Sequence, residues 1–146
     1  MATVWALEIL LLKGHAMPLV MIDTVRGSYD ETQLRTLLDA VQDAVVEAFD
    51  VPSTDRYQIL TQHERFELVA LDTGLGIDRS EKLVMVRVAS KARAEEAKVA
   101  LYRSLARTLH ERVGVEGADL VVSITENGDA DWSFGHGEAQ FLTGAL

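Results

Sequence analysis

Pro18 is the residue whose chemistry depends most on its place in the chain. Within a polypeptide its nitrogen is an inert tertiary amide, and a proline at the first position of a strand is tolerated because no ladder donor is needed there. As a first residue, the same nitrogen becomes a secondary amine. An α-amino group titrates near about 7.7–8.0, so neighbouring cations favour the neutral base and a nearby carboxylate favours the ammonium. Met17-Pro18 has the form of a start whose methionine is removed. The remaining reactive side chains form weaker patterns. Asp72-Thr73-Gly74-Leu75-Gly76 contains G-x-G but lacks the third glycine and the strand-to-helix setting of a dinucleotide loop. Asp129 and Asp131 beside Asn127-Gly128 read as a turn, since no second ligand set supports a calcium loop. The histidines at 15, 63, 110 and 136 lack zinc-site spacing, and His136 between Gly135 and Gly137 fits either a pocket or a surface turn. No G-x-S-x-G elbow supports a serine nucleophile. None of these patterns calls for a metal or a cofactor.

Composition narrows the classes further. The 146 residues fit one domain, and 48% hydrophobic with 25% charged residues is the mixture of a globular protein with a full core. Fourteen Lys and Arg against 23 Asp and Glu leave a net charge of −9, which argues against a nucleic-acid partner needing a basic face. The absence of cysteine excludes disulfides, thiolate zinc sites and cysteine nucleophiles, and fits a reducing cytoplasm. No apolar run reaches the ~18 residues of a membrane span. Residues 1–16 stand apart as a leader, read as an expression scar or an upstream start. A signal peptide would place its basic residue ahead of the apolar core, and Lys13 follows it, although Gly14-His15-Ala16 weakly imitates a cleavage site.

Residues 17–146 are expected to form a single domain built on a repeat. An offset of 64 residues sets PLVMIDTV from Pro18 on KLVMVRVA from Lys82, Leu37 on Leu101, Val51 on Val115 and Asp55 on Asp119. Repeat one spans 18–60, repeat two 82–124, and a tail follows over 125–146. Each repeat reads strand, helix, strand. Leu19 to Val25 and Leu83 to Ala89 open the units, and Tyr57 to Leu60 and Leu120 to Ile124 close them. Leu34, Leu37, Leu38, Val41, Val45 and Ala48 form one apolar helical stripe, with a capping box expected within Ser28 to Glu31. Leu101, Leu105, Leu109 and Val113 form the other stripe, with Gly114 fitted to end that helix. The expected fold is α/β: a four-stranded core sheet with both helices on one face. An extra strand is expected at Phe66 to Leu71. Because nothing supplies a second helical layer, the open sheet face predicts an oligomer.

These stretches resemble the tautomerase superfamily, whose members use an amino-terminal proline on βαβ units. Within it they are most similar to the malonate semialdehyde decarboxylases. The likeness lies in MPLV at 17, VEAFDVPSTDRYQI around Asp55, DTGLGI at 72, and SITENGDADWSFGHGEAQFLTG near the end. It implies a homotrimer, a small carboxylic-acid substrate and no cofactor. It also implies a catalytic Pro18 assisted by Asp55, a carboxylate-binding pair in Lys91 and Arg93, and a hydrophobic wall of Trp132, Phe134 and Phe141. Lysine stands at 91 where the family pattern has arginine, exchanging a planar two-pronged fork for a mobile point charge. By themselves, Lys91 and Arg93 read as a pair of solvated cations at a helix start, since exposed Lys and Arg are the rule. The implied reaction is decarboxylation of malonate semialdehyde to acetaldehyde and carbon dioxide. A tautomerase or hydratase acting on 2-oxo or unsaturated acids is the alternative. If the leader stays attached, Pro18 is an amide, and a non-catalytic oligomeric binding protein is the third reading.

Overall fold

The computed structural model describes residues 18–146, so the expected leader at 1–16 lies outside the described residues. Strand β1 (Leu19–Val25) leads into helix α1 (Glu31–Phe49) and strand β2 (Tyr57–His63). Strand β3 (Val84–Lys91), helix α2 (Glu95–Val113) and strand β4 (Leu120–Asn127) repeat the arrangement, and a short helix α3 (Gln140–Thr143) lies in the tail. The sheet order is β2-β1-β3-β4. Each unit contributes a parallel pair, β1 with β2 and β3 with β4, and the units join through antiparallel β1 and β3. This is the four-stranded α/β sheet expected from the repeat.

Alternation places the even-numbered residues of β1 and β3 toward the helices. Val20, Ile22, Val84, Val86 and Val88 are buried there against Leu37, Val41, Val45, Leu101, Leu105 and Leu109. Each fully buried leucine contributes about 1.5–3 kcal/mol relative to exposure, so the two helical stripes carry much of the core. Among the described residues, no layer covers the opposite sheet face. Tyr57 and Ile59 on that face are 40% and 51% exposed. Asp23 is buried on it, held by His63 Nε2 at 2.7 Å and by Arg87 Nη2 at 3.0 Å.

Several local expectations are corrected. Helix α1 is capped by Asp30, whose carboxylate accepts from Gln33 N–H at 2.8 Å while the Gln33 side chain accepts from Asp30 N–H. Ser28 instead donates to Val25 O. The expected strand at Phe66 to Leu71 is absent: a 3-10 turn at Arg65–Glu67 is followed by irregular chain. Phe66, Val69 and Leu71 remain 70–80% exposed, because no strand lies alongside to pair with them. The repeat also slips. Both long helices obey the 64-residue offset, but Leu19 pairs with Tyr57 whereas Val84 pairs with Leu120. The second unit is therefore shorter by two residues, lost between its first strand and its helix. As a result β3 runs on to Lys91, and only residues 92–94 link it to α2.

Candidate active site

Antiparallel pairing brings the start of β1 beside the end of β3. Leu19 lies opposite Ala89, so Pro18, one residue earlier and buried, continues toward Ser90. Leu19 also lies beside Tyr57 of β2. Asp55, two residues before Tyr57, flanks the same strand start. Asp55 is nearly buried, and its backbone is anchored by a bond from its N–H to Pro52 O at 2.9 Å and one from Gln42 Nε2 to its carbonyl at 3.2 Å.

Lys91 and Arg93 take different environments at the end of β3. Arg93 turns toward the C-terminus of α1. Its Nη1 donates to Phe49 O at 3.1 Å, its Nε to Ser90 Oγ at 3.4 Å, and its guanidinium carbon lies 4.8 Å from the Phe49 ring centre. Burial disfavours its charged form and pulls its pKa below the usual arginine value, yet an arginine remains a cation at neutral pH. Lys91 turns toward the tail. Its ammonium lies 4.5 Å from the Phe141 ring centre, forms an ion pair with Asp129, and is only 20% exposed. Neither is the freely solvated helix-start cation that the residues alone favoured: Lys91 ends β3 in an ion pair, and Arg93 packs on Phe49.

The tail then folds across this end of the sheet. Trp132 stacks on Phe134 with ring centres 5.4 Å apart, and Phe141 meets Phe134 edge-on at 5.4 Å. Tyr57 extends the cluster, 5.8 Å from Phe134. Hydrogen bonds fix it: Trp132 Nε1 donates to Asn127 Oδ1 at 2.8 Å, and Phe134 N–H donates to the Gln140 side chain at 2.9 Å. Left-handed backbone at His136, between Gly135 and Gly137, lets the chain reverse between Phe134 and Phe141. His136 itself is exposed, so the surface-turn reading holds.

Lys91, Trp132, Phe134 and Phe141 thus meet directly, while Pro18, Asp55 and Arg93 gather at the adjoining strand tips. Tyr57 and Asp129 join the site, although the sequence reads one only as the start of a closing strand and the other only as part of a turn. The only prior signals were an aromatic residue at a strand start and an acidic residue after Asn127-Gly128. The Asp72 loop is a capped turn: its carboxylate accepts from Gly74 and Gly76 N–H, which lowers its pKa, as bonds to the charged form must. Among the described residues no group of His, Asp and Glu is placed to hold a metal ion. No helix among them is long and apolar enough to cross a membrane.

A family model described as a tautomerase enzyme matches residues 55–135, and a second so described matches 18–76. "Probable tautomerase YrdN" of Bacillus subtilis (strain 168) is 52% identical over 130 residues, covering 89% of this chain and all of its own. A solved malonate semialdehyde decarboxylase, described with decarboxylase and hydratase activities, is 46% identical with a TM-score of 0.84, covering 88% of this chain and 98% of that one. A fused 4-OT symmetric trimer shares the fold at 21% identity and a TM-score of 0.71, covering 86% of this chain and 98% of that one.

Proposed function

The chain belongs to the tautomerase family, and from that premise we propose that Pro18, when it is the first residue, decarboxylates malonate semialdehyde to acetaldehyde and carbon dioxide. The observation that carries this reading is the meeting of a strand-initial proline, two cations and an aromatic wall at one end of the sheet.

Loss of carbon dioxide from a 3-oxo acid leaves an electron pair that must move onto the aldehyde oxygen. A protonated Pro18 at that oxygen stabilises the developing enolate, as an oxyanion hole does. Asp55 beside the strand start favours the ammonium over the neutral amine. Arg93, with Lys91, holds the carboxylate so that its breaking bond stands out of the carbonyl plane. The wall of Trp132, Phe134 and Phe141 lowers the local dielectric and favours departure of a charged carboxylate as a neutral gas. The enolate then takes a proton at carbon to give acetaldehyde. A neutral Pro18 forming a Schiff base is the alternative electron sink.

The tautomerase name of the 52%-identical relative supports a second reading, in which neutral Pro18 moves a proton between carbon and oxygen of a 2-oxo acid. A homotrimer is the assembly this reading expects, supported by the open sheet face, which a neighbouring subunit would cover, and by the trimeric assembly of the fused 4-OT protein of like fold.

The test supplies malonate semialdehyde to protein beginning at Pro18 and follows acetaldehyde, with enol–keto conversion of a 2-oxo acid assayed beside it. The decarboxylase reading expects turnover that falls about 10²–10⁴-fold in Pro18→Ala, the range for loss of an acid–base group. Equal turnover in Pro18→Ala overturns the role of the proline. Enol–keto conversion without acetaldehyde selects the second reading. No turnover in either assay selects a binding protein.

A further inference from the structure

Lys91 already carries a carboxylate. Residues 128–131 close a tight turn in which Gly128 N–H donates to Asp131 Oδ2 at 2.8 Å, and this turn presents Asp129 to the lysine ammonium. The turn is fixed on its other side as well. Asn127 pairs with Lys91 across the β3–β4 ladder, and its side chain accepts from the Trp132 indole. Asp129 is therefore held against the site cation by two neighbouring hydrogen bonds, and its ion pair has only one half-exposed member, with Asp129 50% and Lys91 20% exposed.

We infer that Asp129 is a specificity-determining residue, an internal competitor that occupies Lys91 and biases the site toward monocarboxylates over dicarboxylates. The inference rests on the carboxylate-binding reading of Lys91 and Arg93 given above. An ammonium has three rotatable donors, so Lys91 can keep Asp129 and still donate one hydrogen bond to a single carboxylate held mainly by Arg93. A second carboxylate arriving there must displace Asp129 or endure its repulsion. An arginine at this position would offer a planar fork able to bridge two carboxylates; the lysine concentrates its charge where one already sits.

Calorimetric titration with two unreactive probes tests this: malonate, doubly charged at pH 7.5, and 3-hydroxypropionate, singly charged. The full chain serves, because carboxylate binding does not require a free proline amine. Asp129→Asn is expected to bind malonate about threefold to fivefold tighter, the range of a partly exposed ion pair, with a smaller change for 3-hydroxypropionate. Asp129→Glu should retain the wild-type preference, and the gain should vanish when Asp129→Asn is combined with Lys91→Ala. Equal weakening of both probes in Asp129→Asn would show a merely structural residue and overturn the inference. Persistence of the gain without Lys91 would overturn it as well. Failure of wild type and all variants to bind either probe overturns the carboxylate site and this inference together. The expected binding shifts without decarboxylation in the Pro18-first protein remove the decarboxylase reading alone.

Discussion

Leu19 at the start of β1 stands opposite Ala89 near the end of β3. This antiparallel register makes neighbours of Pro18 and a pair of cations more than 70 positions along the chain. A parallel arrangement of the two units would have put them at opposite ends of the sheet.

Phe134 is the hub of the aromatic wall, touching Trp132, Phe141 and Tyr57. Phe134→Ala is expected to raise KM for a carboxylate substrate several-fold and to expose Trp132. Because the cluster lies outside the buried core, unfolding stability should fall by no more than about 1–2 kcal/mol. Steady-state kinetics and denaturant unfolding of the variant check both parts.

Ile59 lies on the sheet face that no helix among the described residues covers and is 51% exposed. Ile59→Arg would bury an unpaired charge in any assembly that covers this face, at a cost of several kcal/mol. Sedimentation equilibrium should find the variant as a folded monomer under conditions where the wild type forms the proposed trimer. An unchanged trimer would place the subunit interface elsewhere.

Tyr29 supplies a pH dependence whose sign is fixed. Its hydroxyl is buried and donates to Lys82 O at 2.6 Å; desolvation first, and the charge of Asp119 second, push its pKa from 10.0 up to about 12. The neutral phenol is favoured in the folded state, so its contribution is complete below pH ~10 and is lost as pH rises toward ~12. Wild type should exceed Tyr29→Phe in stability by about 1 kcal/mol at pH 8, the net value of one hydrogen bond. That margin should shrink between pH 10 and 12, measured by urea unfolding across the range.

Much of this architecture is legible in the sequence because burial leaves a periodic trace. The stripes Leu37-Val41-Val45 and Leu101-Leu105-Leu109 name both helices, and the alternating strands follow from Val20-Ile22 and Val84-Val86-Val88. The two-residue slip in the second unit left no trace for a physical reason: a strand pattern of period two is unchanged by a shift of two. That slip is what carries Lys91 to the last position of β3. Phe66 to Leu71 has strand-like composition, but a strand requires a neighbour, and composition does not supply one. Pro18 is nameable from its own chemistry after Met17, whereas the cations and aromatics of the site are nameable only through the resemblance. The Lys91–Asp129 pair was not, since it forms only when β3 and β4 align Lys91 with Asn127 and the following turn closes back.

The proposed mechanism puts the chemistry on the nitrogen of Pro18, a claim that two forms of the same chain test most directly. One begins at Pro18, and the other retains residues 1–17, each verified by intact mass. Folding and carboxylate binding should be alike in both, while acetaldehyde formation from malonate semialdehyde should occur only in the form with the free secondary amine. Equal rates of acetaldehyde formation in the two forms would contradict the claim, because an amide nitrogen carries neither the charge nor the basicity that the mechanism requires.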